Sequence, residues 1–95
     1  MVVSMIQFRI ELPPIESIKD KRRIVVSLKE KLANKFHLSV AEVDLQDSLA
    51  CAQIGAALVS NSRTFGETVM HKALAFVERN CEGVLLETEV FSESY

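Results

Sequence analysis

The stretch from Leu38 to Ser60, LSVAEVDLQDSLACAQIGAALVS, carries two period-two runs back to back within a chain of 95 residues. In the first, Leu38 to Gln46, Ala41, Val43 and Leu45 stand opposite Glu42, Asp44 and Gln46. In the second, Leu49 to Ser60, Ala52, Ile54, Ala56 and Leu58 alternate with Cys51, Gln53, Gly55 and Ala57. Successive side chains of a strand point to opposite faces, so each run reads as a strand with one buried side. The short turn around Asp47 and Ser48 joins them as an antiparallel hairpin.

Helical patterns flank this hairpin, and a further strand lies beyond each. At the start, Val2, Ser4, Ile6, Phe8, Ile10 and Leu12 share one face, with Val3, Met5, Gln7, Arg9 and Glu11 on the other. Pro13 and Pro14 remove two backbone donors and end this strand. Ser17 followed by Asp20 approximates a capping box, and Val25, Leu28, Leu32 and Phe36 give the stripe of a first helix ending near His37. After the hairpin, Asn61 to Thr64 supplies caps, Thr64 and Glu67 form a second capping-box pair, and Phe65, Val69, Ala73, Phe76 and Val77 make the stripe of a second helix. It stops around Asn80 to Gly83, where the glycine suits a left-handed residue. The last strand spans Val84 to Phe91 with Val84, Leu86, Thr88 and Val90 inward, leaving Ser92 to Tyr95 as a loose tail.

The order β-α-β-β-α-β with right-handed crossovers predicts an α+β ferredoxin-like plait. A four-stranded antiparallel sheet carries both helices on one face, and residues 1–95 form a single domain.

Composition excludes several classes. At 48% apolar and 25% charged residues, the chain reads as globular rather than disordered. No apolar run reaches the length of a membrane span, and Gln7, Arg9 and Glu11 interrupt the start where a secretion signal needs hydrophobicity, so a cytoplasmic location is expected. Cys51 and Cys81 stand far apart and are expected as free thiols. His37 and His71 lack partners at ligand spacing, and the three glycines are scattered, so neither a metal nor a nucleotide cofactor is expected. Glu42 and Asp44 share a strand face and read as exposed, solubilising groups. No catalytic constellation emerges, and the expectation is a protein that is not an enzyme.

Charge is distributed unevenly. Seven of the eleven Lys and Arg residues fall between Lys19 and Lys35, and against Asp20 and Glu30 they leave +5 there; four cations and eleven acids elsewhere leave −7. Such a dipole attracts polyanions or acidic partners although the net charge is −2. Around the first helix, the apolar stripe falls between roughly 180° and 260° from Lys19, with Arg22 and Lys29 near 280° to 300° and Arg23 near 40°. Lys19, Arg22 and Arg23 thus crowd the first turns, where cations are disfavoured by the helix dipole and backbone N–H groups await an anion. A charge run alone is most simply a solvated face; this placement is what suggests a phosphate cradle. Lys21 falls near 200°, inside the apolar arc, and is expected to form a structural ion pair with a carboxylate such as Asp47.

The run Ser17-Ile18-Lys19-Asp20-Lys21-Arg22-Arg23, then Ser39-Val40-Ala41-Glu42-Val43, the Gln46-Asp47 pair and Asn61-Ser62-Arg63 resemble the bacterial YlxP-like proteins, a family of unknown function. The resemblance covers nearly the whole chain, and its most specific part is the family's Ser-Leu-Lys-Glu-Lys-Arg motif, met here with Ile18 and Asp20 as substitutions. It implies a ferredoxin-like fold. Because members are often encoded near translation-initiation and ribosome-maturation factors, it also implies, by association, a role around ribosomal RNA. It implies no activity.

The expected anion-binding residues are therefore Lys19, Arg22 and Arg23, with Lys29 and Arg63 secondary, and the expected partner is structured RNA. The alternative is a protein-interaction module whose basic helix docks an acidic partner. On the sheet face away from the helices, Val3, Met5, Cys51, Ala57, Val59 and Leu85 form a surface too apolar to stay wet, which predicts a homodimer through the open sheet. No aromatic side chain is expected at the centre of that face, so base stacking on it is not expected.

Overall fold

Alternation along Val2–Glu11 produces β1, and the other elements follow in the expected order in the computed structural model, which describes Met1 to Tyr95: α1 (Ile18–Phe36), β2 (Ser39–Asp44), β3 (Cys51–Ser60), α2 (Arg63–Asn80) and β4 (Val84–Ser94). The sheet order is β2-β3-β1-β4, and every neighbouring pair is antiparallel. Both helices cover one face, α1 against β2 and α2 against β1 and β4, which is the ferredoxin-like plait. Ile6, Phe8 and Ile10 of β1 meet Ile54 of β3, Leu28 and Leu32 of α1, and Met70 and Val77 of α2. Each of these large side chains stabilises the fold by roughly 1.5–3 kcal/mol through burial.

Local readings needed revision at four places. In α2 the cap is Ser62, whose hydroxyl accepts the Phe65 N–H at 3.1 Å, so Thr64 lies inside the helix rather than forming a box with Glu67. The buried stripe is Gly66, Met70, Ala73 and Val77, and Phe65 is exposed. Gly66 permits this seat: a Cβ there would overlap the Ser4 hydroxyl, which shares a buried 2.8 Å hydrogen bond with Ser92.

Gly83 does not occupy the left-handed region. α2 ends on an extended Cys81 whose N–H donates to Val77 O at 2.9 Å, while the left-handed cap belongs to His37 after α1. Gly83 is needed for space, because a Cβ would overlap the Glu11 carbonyl and lie 2.5 Å from Cγ2 of Ile10.

Strand β4 changes phase. The register slips between Gln7 and Arg9, and Glu87 takes φ 50°, so a bulge inserts an extra residue opposite Phe8. Leu85 pairs with Ile10 and Leu86 with Arg9. Paired residues share a face, so Leu85 points to the helices and Leu86 to the open side, the reverse of the simple alternation.

The last residues are not a loose tail. Ser92 is buried opposite Ser4, Ser94 pairs with Val2, and the Tyr95 N–H donates to Met1 O at 2.7 Å. The pairing persists because β1 begins at Val2 and offers its full length. Tyr95 Oη donates to Glu93 Oε2 at 3.1 Å. That hydrogen bond, followed by the carboxylate's charge, raises the phenol above its ordinary 10.0. The sign follows: the bond contributes while the phenol keeps its proton and is lost as pH rises through the folded-state value. Tyr95 is the sole tyrosine and tryptophan is absent, so near-ultraviolet absorbance reads it cleanly. Glu93→Gln should lower the titration midpoint towards that of a free tyrosine; an unmoved midpoint would show the contact does not form in solution.

Candidate anion-binding surface

Helix α1 begins where Ser17, in extended backbone, accepts the Asp20 N–H at 3.2 Å. The Asp20 carboxylate does not return to Ser17 as in a full capping box but lies 3.4 Å from the Glu16 N–H. A phosphate approaching this tip therefore meets a hydroxyl already in place and a negative charge. Ser17 and Asp20 thus occupy part of the tip, and the flanks of the helix carry the cations.

Lys21 separates from the other cations of its motif. Its side chain is 2% exposed, and Nζ donates to the carbonyls of Leu45 at 2.5 Å, Ser48 at 2.7 Å and Cys51 at 3.0 Å, with Gln46 O at 3.4 Å. Its carboxylate partner is Glu42, with Oε2 at 3.0 Å, and not Asp47. The contact is Coulombic, since that oxygen accepts no directed hydrogen bond. Glu42 faces inward because its pairing with Ile54 puts it on the helix side, so it is not the solubilising group its sequence context suggested. The bulge between Glu42 and Asp44 leaves Asp44 exposed, and Leu45 turns the chain at φ 63° towards Lys21.

The remaining basic residues of α1 are unpaired. Lys19, Arg22 and Arg23 are exposed and Lys29 half-exposed. The molecule's two ion pairs are Arg9 with Glu87 at 3.3 Å and Lys21 with Glu42, so none of these four meets a carboxylate of its own chain. Arg22 and Lys29 lie seven residues apart on the flank away from α2, about 10 Å along the axis. Lys31 and Lys35 were not singled out from the sequence. They line an open groove of about 450 Å³ with Ser27, Glu30, Asn34 and Phe76, where Lys35 Nζ stands 5.1 Å from the Phe76 ring centroid. Their signal was the i, i+4 spacing on the helix flank opposite Lys29.

Arg63 does not join this cluster. It opens α2 at the Val2–Ser60 end of the sheet, whereas α1 opens near Glu11 and Cys51 at the other end. Its guanidinium donates to Ser92 O at 2.6 Å and Ser94 Oγ at 3.4 Å, tying the end of β4 to the helix.

On the open sheet face, pairing places Val3 beside Val59, Met5 beside Ala57 and Glu11 beside Cys51. Leu85 is absent from it because of the β4 bulge; Leu86, Val84, Val43 and Phe91 take part instead. Phe91 is 50% exposed and belongs to an edge strand, so the central strands β1 and β3 carry no outward aromatic. No helix is long and apolar enough to cross a membrane.

Comparison with known proteins finds relatives of the sequence. Residues 3–90 match the family described as "Protein of unknown function (DUF503)". The chain is 32% identical over 77 residues to the uncharacterized protein YlxP of Bacillus subtilis (strain 168), spanning 79% of this chain and 84% of that protein. Among solved structures, the de novo designed protein Ferredog-Diesel aligns over 97% of this chain and 84% of its own with TM-score 0.46 and 9% identity.

Proposed function

The chain belongs to the DUF503 family, whose function is unknown, and we propose that it is a non-enzymatic cytosolic protein that binds structured RNA, ribosomal RNA being the first candidate, through phosphate contacts from Lys19, Arg22, Arg23 and Lys29. One observation carries this reading: these four cations of α1 have no acidic partner in the chain although eleven acids lie outside the helix. Cations early in a helix oppose its dipole, so an external anion gives the placement a purpose. Phosphate contacts fix orientation without reading bases, which suits recognition by shape.

Three to four phosphate contacts predict an affinity that falls roughly 20- to 150-fold between 50 and 200 mM salt. Filter binding or fluorescence anisotropy with purified ribosomal RNA checks this. Arg22→Glu with Arg23→Glu should abolish binding while leaving the thermal midpoint unchanged, since both side chains are exposed. RNA binding that ignores salt, or survives the double reversal, defeats the reading. No RNA binding even at low salt would turn the same cations towards an acidic protein partner.

A further inference from the structure

We propose that the open sheet face is covered by the same face of a second copy, in an isologous dimer whose twofold axis runs along the strands between β1 and β3. Nine large apolar side chains remain exposed, and four of them, Val43, Val59, Val84 and Phe91, lie on this one face around Met5. Strands of 10, 6, 10 and 11 residues present roughly 590 Å² in plan, about three-quarters of the ~800 Å² per partner of a standard interface.

Part of the polar complement of the face already has partners: Gln53 donates to Gln7 at 3.3 Å and Arg9 pairs with Glu87, while Arg9 Nε and the Glu11 carboxylate have none within the chain. The acids Glu89 and Glu93 lie on β4, at the rim.

Side-chain size selects the arrangement. At mid-face Met5 of β1 and Phe91 of β4 are tall neighbours, whereas Ser39 and Ala41 of β2 and Gly55 and Ala57 of β3 floor a shallow trough of about 230 Å³, Val43 and Val59 being the larger apolar residues that those two strands bring to this face. A twofold axis along the strands lays β1 over the second copy's β3 and β4 over its β2. Met5 then meets Ala57, and Phe91 meets the Ser39–Ala41 floor, large against small as close packing requires. The same operation brings the acidic β4 edge to the β2 side, whose covering helix carries Arg22 and Lys29. Both helices stay on the outer surfaces, so the dimer does not depend on the RNA reading and leaves α1 free.

Light scattering and sedimentation at about 100 μM should give twice the 10.6 kDa of the chain. Ala57→Met sets methionine against methionine and should weaken association at least about tenfold, and adding Met5→Ala should restore it, because the swap returns a large residue against a small one. Simple stickiness predicts the opposite, since Ala57→Met makes the face more apolar. A wild type that stays at one chain mass near 1 mM, or an Ala57→Met variant that associates more tightly, overturns the proposal. The wild-type measurement decides even if a variant fails to fold.

Discussion

Lys21→Ala is expected to remove about 3–5 kcal/mol of folding stability, the cost of breaking one side of a buried ion pair. A domain holds only about 5–15 kcal/mol in total, so much of this variant's margin would vanish. The carbonyls of Leu45, Ser48 and Cys51 each lose the ammonium as a donor, and Glu42, 20% exposed at the side chain, loses the charge that faces it. The turn keeps only local bonds, such as Ser48 N–H to Leu45 O and the Ala50 and Cys51 N–H groups to the Ser48 hydroxyl. Lys21→Met separates charge from packing, because it retains an apolar stem of similar length, and it should lose nearly as much as alanine. Glu42→Gln should cost far less, about 1 kcal/mol, since the carbonyl cage remains around the ammonium. Urea unfolding followed by circular dichroism measures all three. If Lys21→Met stays within about 1 kcal/mol of wild type, the ammonium does not hold the turn. The folded fraction of the same variant should bind RNA undiminished, because Lys21 points inward while its neighbours point out.

That contrast divides one short motif into two jobs. Lys21 fastens the β2–β3 turn to α1, and Lys19, Arg22 and Arg23 project to solvent. The wheel made part of this legible: a lysine near the centre of an apolar arc cannot stay charged and dry without acceptors. Its acceptors were not legible, because they are backbone carbonyls of a turn 24 to 30 residues away, and every residue type has a carbonyl. Element order was readable because alternation over ten residues and a helical stripe over eighteen leave few topologies. Phase was readable only where no bulge intervened. In β1 the buried set was correct from Val2 to Ile10, whereas one inserted residue at Glu87 moved Leu85 from the open face to the core. Arg63 was misjudged for a related reason: its bonds run to the end of β4, whose order could not be inferred from a polar Ser-Glu-Ser-Tyr ending. The unpaired state of the α1 cations required coordinates as well, because Asp20 and Glu30 sit within one turn of them in sequence.

Gly83→Ala is expected to destabilise the chain by about 3 kcal/mol or more, at the upper end of what overpacking costs, because the obstacle is main chain. The new Cβ would enter the Glu11 carbonyl and press on Ile10, and neither can retreat. Glu11 is the last residue of β1, held between Cys51 of β3 and Val84 of β4, and Ile10 belongs to the core. Relief would require the start of β4 to peel from β1. Gly66→Ala offers a comparison, since most of its clash is with the Ser4 hydroxyl, a single-bond rotor, and it should therefore cost less. Asparagine at position 83 distinguishes the two reasons a glycine can follow a helix. At a left-handed position asparagine recovers much of what alanine loses. Where the need is room, a larger side chain makes matters worse, so Gly83→Asn should be no more stable than Gly83→Ala. Thermal melts of the two variants settle the point: an asparagine variant near wild type would place Gly83 back among left-handed caps and remove the close approach of β4 to Glu11 from the account of this fold.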